Sequence, residues 1–201
     1  MKHHELQANE AGKACTQPKA PADLSAPAAV ADPLLSFYDG TGTDSEGRTL
    51  AEILAWSDKR LESCHDYIQW LFPNDRRSAV NPDAPLVTAL LQEQFARRAI
   101  LQENLLQSLR RMLAFYGLKC IANENGVRIL PSTEWEVRKD NWLTSHNHNH
   151  LRITRILISL RLLGLVEYAV AFFAQLDRVC YSDSGGAISE TTYALWQAAI
   201  R

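Results

Sequence analysis

Residues 148–179 have the sequence HNHLRITRILISLRLLGLVEYAVAFFAQLDRV, a strongly apolar stretch with one glycine, Gly164, near its middle. Helices commonly end at a glycine, which adopts the left-handed backbone conformation without steric cost. Asn147 or Asn149 can cap a first helix that ends at Gly164, and residues 166–179 can form a second helix that packs back on the first. The stretch therefore predicts a helical hairpin.

A membrane span is the alternative for this stretch, because residues 156–176 match the roughly 20 residues that cross a bilayer. Arg161 and Glu167 oppose that alternative, since each would cost about 2 to 3 kcal/mol at bilayer depth. Buried helices of water-soluble proteins are also apolar on most faces. We therefore expect two buried helices and no transmembrane span.

Helical periodicity continues on the N-terminal side of the hairpin and resumes after it. The helices predicted from it cover residues 49–56, 57–72, 86–116 and 189–200. Pro73 ends the second of these helices and Gly117 ends the third. The third is either one long helix or two helices with a bend near residues 97–100.

Few strands are expected, and the fold class predicted is all-α, a non-repeating multi-helix bundle or array. Residues 126–131, GVRILP, suggest at most a short extended piece rather than a sheet. Residues 1–33 contain four prolines among Ala, Gln, Lys, Asp and Ser, so we expect a disordered N-terminal arm. The helical domain is predicted to cover residues 34–201.

Composition excludes several functions. With 21 Lys and Arg against 23 Asp and Glu, the formal charge of −2 provides no attraction for nucleic acid or anionic membranes. The four cysteines are widely separated, without a CxxC pair, and indicate reduced thiols. Residues 1–10 lack the apolar stretch of a secretory signal. We expect a cytoplasmic protein without a cofactor.

Alternating histidines precede the hairpin. His146 and His150 would share one face of a helix, which makes them weak candidates for metal ligation. Two imidazoles leave a zinc site incomplete, and no HExxH motif is present. Surface or capping roles for these histidines explain the pattern better, so no metal site is predicted.

Catalytic motifs are absent from the sequence. His65 and Asp66 are adjacent, so their side chains would point to different sides of a helix and could not form a dyad. No nucleophile elbow or phosphate-binding glycine loop occurs. Arg152 and Arg155, one turn apart, could hold an anionic ligand group or pair internally, and internal pairing is favoured. We expect the protein not to be an enzyme.

Five segments together resemble the conserved region of the opioid growth factor receptor family. They are LESCHDYIQWLFP at 61–73, NPDAPLVT at 81–88, MLAFYGL at 112–118, Trp142, and HNHLRITRILISLRLLGL at 148–165. The resemblance extends over about residues 34–180. Its motifs are long and unusual in composition, which makes the similarity specific.

The resemblance implies a receptor for the opioid growth factor, a short enkephalin peptide, that acts around the nuclear envelope and restrains proliferation. Little sequence follows the shared region, so we expect a short stand-alone member. Such a member would lack the long charged tail of animal members. It would then also lack the nuclear-import and growth-control roles that depend on that tail.

The first functional hypothesis is therefore a module that binds a short peptide or a protein partner. The candidate ligand-binding residues, taken from the family-like motifs, are His65, Tyr67, Gln69, Trp70, His148, Asn149, Arg152 and Arg155. Most aromatic rings near the motif, Trp142 among them, are expected in the core. Tyr67 and Gln69, which have polar tips, are the better candidates to line a groove.

Two alternatives remain open. Packing could bring His65 and His148 together with Asn149 and Arg152, which would indicate an unrecognised enzyme or metal protein. A shared structural hydrogen-bond network explains the same residues more simply. Alternatively, the helical domain is a scaffold on which other proteins dock.

Overall fold

The computed structural model of the chain describes Met1 and residues 32–78, 81–182 and 186–201. These residues form ten α-helices, one 3-10 turn at Lys139–Asn141, and one sheet of two strands. In chain order the elements are α1 Pro33–Asp39, α2 Leu50–Leu54, α3 Asp58–Ser63, α4 Ile68–Leu71, α5 Ala89–Arg97, α6 Ala99–Phe115, β1 Leu118–Asn123, β2 Gly126–Pro131, α7 Trp135–Arg138, α8 Asn149–Leu162, α9 Val166–Ser182 and α10 Glu190–Ala199. The described part is mostly helical.

The apolar stretch forms the predicted pair of helices, α8 and α9, which pack against each other. Gly164 separates them with a φ of +92°. His148 is the N-cap residue of α8 and makes no side-chain capping bond, but the side chain of Asn147 accepts a 2.8 Å hydrogen bond from the backbone N–H of Asn149, the first residue of α8. Within the described residues, no helix has both the length and the apolar character that crossing a membrane requires.

The predicted helix over 86–116 is two helices, α5 and α6, which meet at Arg98. Arg98 is extended, with ψ of 105°, and the helical ladder is interrupted there. Gln102, one turn into α6, donates from Nε2 to the carbonyl oxygens of Phe95 at 3.0 Å and Leu163 at 2.6 Å. The last carbonyl oxygens of a helix have no intrahelical donors. The two bonds from Gln102 supply donors to such carbonyls near the ends of α5 and α8.

The all-α prediction is too narrow, because residues 118–131 form an antiparallel hairpin. β1 and β2 pair in register from Leu118 opposite Pro131 to Asn123 opposite Gly126. Gly126 has a φ of +99° directly after the turn, a conformation that suits glycine. β2 also packs against α9, so the helical layer supports a hairpin that would be marginal alone.

The predicted single helix over 57–72 is also wrong. α3 ends at Ser63, the backbone at Cys64 is extended with ψ of 136°, and α4 is one turn long. Carbonyl oxygens around the break accept hydrogen bonds from Arg152 of α8 instead of from the next helical turn. The break leaves His65 exposed and outside both helices.

The core is rich in aromatic rings. Trp142 is fully buried and donates from Nε1 to the carbonyl oxygen of Tyr116 at 3.1 Å. Its ring packs edge-on against Tyr116 and Trp135, and a fourth ring, Trp196 of α10, lies 6.4 Å away. The expectation that Trp142 belongs to the core is confirmed. The predicted arm, residues 1–33, falls mainly on residues outside the described ranges and stays a prediction.

Candidate functional site

A groove of about 380 Å³ runs between α8 and the segment from His65 to Ser78, which contains α4. We call it the α4–α8 groove. Its lining residues are His65, Ile68, Gln69, Asn74, Arg77, Ser78, His148, Leu151, Arg152, Thr154, Arg155 and Ile158. Five of the eight candidate ligand-binding residues, His65, Gln69, His148, Arg152 and Arg155, therefore meet around one opening.

His65 and His148 face each other at the mouth of the groove, with ring centroids 5.2 Å apart. Nε2 of His148 also lies 3.2 Å from a carboxylate oxygen of Glu62. Partial burial holds the pKa of His148 below its ordinary value, and the positive charge of Arg152 lowers it further, although Glu62 acts in the opposite direction. The His148 imidazole is therefore mostly neutral at pH 7.

Arg152 is buried and its guanidinium bonds within the protein. It donates to the carbonyl oxygens of Leu61 at 3.0 Å and Cys64 at 2.8 Å, and to the side-chain oxygen of Asn149 at 3.2 Å. Glu62 lies 3.7 Å away as a partner carboxylate. The expected internal pairing of Arg152 is confirmed, and its role in the groove is chiefly structural.

Arg155 differs from Arg152, although both lie on α8. Its guanidinium donates to the carbonyl oxygen of Phe72 at 3.2 Å, and no carboxylate of the described residues lies within 4 Å of it. Burial lowers the pKa of Arg155, but a guanidinium stays charged at neutral pH. Arg77 likewise bonds a carbonyl oxygen, that of Pro82, at 3.2 Å.

The charge balance of the groove is positive. Arg77, Arg152 and Arg155 line it, and none of the described lining residues is Asp or Glu. A positively charged concavity with partly desolvated walls concentrates an electrostatic field and attracts anionic groups. The groove can therefore bind a small molecule or chain end that carries a negative charge.

Three candidates from the motifs are buried and do not line the groove. Tyr67 is fully buried and its hydroxyl donates to the carbonyl oxygen of Leu61, so the expectation that its tip lines a groove is wrong. Trp70 is 5% exposed and packs against Phe37. Asn149 is buried and donates to Glu62 and to the backbone of the 3-10 turn.

The weak metal candidates do not share a helix face as expected. His146 lies in the turn before α8 with a φ of +58°, outside any helix. His150 lies inside α8 and its Nε2 is 2.8 Å from the carbonyl oxygen of Trp142. In the described ranges, no cluster of three or more His, Cys, Asp or Glu side chains could hold a metal ion.

Residues 32–183 match the model of the opioid growth factor receptor (OGFr) conserved region. The chain belongs to this family. Among its relatives, the opioid growth factor receptor of Mus musculus is 38% identical over 148 residues, covering 70% of this chain and 23% of the relative. The human receptor is 37% identical over 150 residues, covering 71% and 22% of the two chains.

The chain is also similar to the opioid growth factor receptor-like protein 1 of Rattus norvegicus, with 38% identity over 110 residues that cover 55% of this chain and 23% of that protein. The chain spans about a quarter of the length of the curated relatives it matches. No solved structure matches the chain.

Every residue that lines the α4–α8 groove lies inside the region matched by the opioid growth factor receptor family. The candidates chosen from the sequence motifs include part of this lining. They leave out seven lining residues: Ile68, Asn74, Arg77, Ser78, Leu151, Thr154 and Ile158. Periodicity could have found three of these, because Leu151, Thr154 and Ile158 follow the face of α8 that carries Arg155. No local signal marks Asn74 and Arg77, which tertiary packing places opposite α8.

Proposed function

We propose that this member of the opioid growth factor receptor family binds a short peptide in the α4–α8 groove. The observation that carries the proposal is the groove itself, an open concavity of about 380 Å³ that brings two motifs of the family together. Ligand pockets have volumes of about 300 to 1,000 Å³ and combine apolar walls with a few polar groups. This groove fits both criteria.

The names of the relatives support the same function. The matched proteins of mouse, rat and human are named opioid growth factor receptors. The enkephalin peptide implied by that resemblance is therefore the first ligand to test. Because this chain spans only about a quarter of those relatives, peptide binding by this chain and any cytoplasmic or perinuclear location are proposals.

A second candidate function is an enzyme that uses the histidine pair, although we expect the protein not to be an enzyme. The 5.2 Å separation of the His65 and His148 rings, with Glu62 beside His148, favours it. A neutral imidazole oriented by a carboxylate can act as a general base. Turnover of a peptide during incubation with the wild-type chain, abolished in His148→Ala, would support this candidate over simple binding.

The binding proposal is tested by calorimetric titration of the full chain with methionine enkephalin. Leu151→Ser is the informative variant, because Leu151 lines the groove and is 67% exposed, so its loss changes little of the core. Leu90→Ser is the matched control, since Leu90 is 63% exposed near the start of α5 and lies outside the groove. Both substitutions carry the same small loss of helix propensity.

Saturable binding at micromolar or tighter peptide that weakens in Leu151→Ser and persists in Leu90→Ser is the expected result. No heat of binding at millimolar peptide would contradict the proposal. Equal weakening in the two variants would place the peptide elsewhere on the chain.

A further inference from the structure

We propose that the α4–α8 groove binds the C-terminal end of its peptide, and that it recognises a free carboxylate next to an apolar last side chain. This inference rests on the proposed function of the same groove and specifies its ligand. Three features of the groove carry it: two arginines that have no carboxylate partner among the described residues, a buried acceptor without a donor, and an apolar wall.

The arginines supply the charge. Arg155 and Arg77 each donate to one backbone carbonyl, at 3.2 Å in both cases. A guanidinium has five N–H donors, so both retain donors for a ligand. In the described residues neither has an Asp or Glu within ion-pair distance, whereas Arg152 beside them has Glu62 at 3.7 Å. A carboxylate is the anion that a planar guanidinium matches with two parallel hydrogen bonds.

The unfilled acceptor is the side-chain oxygen of Asn74. Asn74 lines the groove, is 8% exposed, and its Oδ1 is buried without a hydrogen-bond partner. Buried polar atoms in folded proteins nearly always have partners, and an orphaned one calls for an explanation. Because Oδ1 is buried, the Asn74 side chain must turn towards the groove before an N–H of a bound peptide backbone can supply the missing donor. The backbone of Asn74 is already held, because its carbonyl accepts from the N–H of Val87 at 2.9 Å.

The apolar wall is formed by Ile68 of α4 with Leu151 and Ile158 of α8. Ile68 is only 4% exposed, Ile158 is half-buried and Leu151 is exposed. Covering Leu151 and Ile158 with an apolar side chain would remove their surface from water, which favours binding.

The last residue of a peptide offers all three complementary groups on one Cα: a backbone N–H, a carboxylate and a side chain. An internal Asp or Glu offers the N–H and the carboxylate but no apolar side chain. Inorganic phosphate offers only the negative charge. The combination of Arg77, Arg155, Asn74 and the apolar wall therefore favours a peptide C-terminus over these other anions.

The test compares the affinities of three peptides for the full chain: methionine enkephalin as the free acid, its C-terminal amide, and an amide in which glutamate replaces the last residue. We expect the free acid to bind about tenfold or more tightly than either amide, because charge-assisted hydrogen bonds are stronger than neutral ones. Arg155→Gln should reduce the ratio of acid to amide affinity towards one. Arg161→Gln should keep it, because Arg161 lies on the same helix, bonds Ala199 and lies outside the groove.

The outcomes separate the two proposals. Equal binding of acid and amide would overturn the carboxylate inference and leave the proposed peptide function standing. Binding of the glutamate amide as tight as that of the free acid would overturn the assignment to a chain end. Failure of all three peptides at millimolar concentration would overturn the proposed function and this inference with it. An unchanged ratio in Arg155→Gln would overturn the role of that arginine.

Discussion

Arg152 of α8 donates from Nη2 to the carbonyl oxygen of Cys64 over 2.8 Å, directly after the last residue of α3. A second nitrogen, Nη1, donates to the carbonyl oxygen of Leu61 over 3.0 Å. The last carbonyls of a helix have no intrahelical donors, so one side chain from α8 ends α3 and connects the two walls of the α4–α8 groove.

Replacement of Arg152 by methionine should destabilise the protein by about 3 kcal/mol, because it removes the donor to the carbonyl oxygen of Cys64 and a partner of the Glu62 carboxylate. Urea denaturation measures the change in the free energy of unfolding. Arg97→Met is the control, since Arg97 is exposed and its one ion pair among the described residues is with Glu93 on its own helix. The free energy of unfolding of Arg97→Met should differ from that of wild type by less than about 0.5 kcal/mol. Similar losses of stability in both variants would contradict the structural role of Arg152.

Replacement of Gly164 by alanine should destabilise the protein by about 1 to 2 kcal/mol, because residues with a Cβ are strained in the left-handed region. Gly164 has a φ of +92°, and a Cβ there would lie 3.0 Å from Nε2 of Gln102, which donates to Leu163. Asparagine tolerates this conformation better than alanine. Thermal denaturation should therefore rank wild type above Gly164→Asn and Gly164→Asn above Gly164→Ala, and a more stable alanine variant would refute the argument.

Stability should fall as the pH decreases from about 7 to about 5, in part through His148 and His150. Burial lowers the pKa of both in the folded protein, below the ordinary value of about 6.5. The unfolded chain then binds protons at a higher pH than the folded chain does, so the stabilisation is present above pH 6.5 and is lost on acidification.

His150→Gln tests this dependence, because glutamine does not titrate and its amide can replace the contact between Nε2 and Trp142. Denaturation curves recorded at several pH values should give a shallower dependence for the variant than for wild type. An identical slope would exclude His150 as a contributor.

The pKa of His148 should respond in opposite directions to its two neighbours. Glu62→Gln should lower it, because the carboxylate stabilises the protonated ring, and His65→Ala should raise it, because the second imidazole opposes that charge. Titration of the imidazole proton resonances by NMR measures both shifts. Shifts in the same direction would contradict the arrangement at the mouth of the groove.

Much of the fold could be predicted from local pattern. The helical pair α8 and α9 follows from a long apolar stretch with one central glycine, and the stop at Gly117 follows from the same chemistry, with a φ of +77°. The break between α5 and α6 was one of two predicted alternatives. The hairpin β1–β2 was missed because its short apolar runs lack clear alternation and depend on packing against α9.

The candidate site could be predicted only in part. The motifs identified His65, Gln69, His148, Arg152 and Arg155, which all line one groove. They also suggested Tyr67 and Trp70, which are buried, because a polar tip on an aromatic ring does not reveal whether the tip meets water or a backbone carbonyl. The metal candidates failed because His146 precedes the helix that was expected to carry it.

The sequence by itself determined the family, most of the helices and their ends, because these depend on motif identity, apolar spacing and glycine conformation within a few residues. Only the tertiary structure decided that α3 ends at Ser63 and that Asn74, Arg77 and Arg155 line one groove. It also decided that Arg152 has Glu62 as a carboxylate partner, whereas Arg155 bonds a backbone carbonyl and has no carboxylate partner among the described residues. Such features depend on hydrogen bonds and charges between residues about 80 positions apart, as between Arg155 and Phe72, which local pattern does not encode.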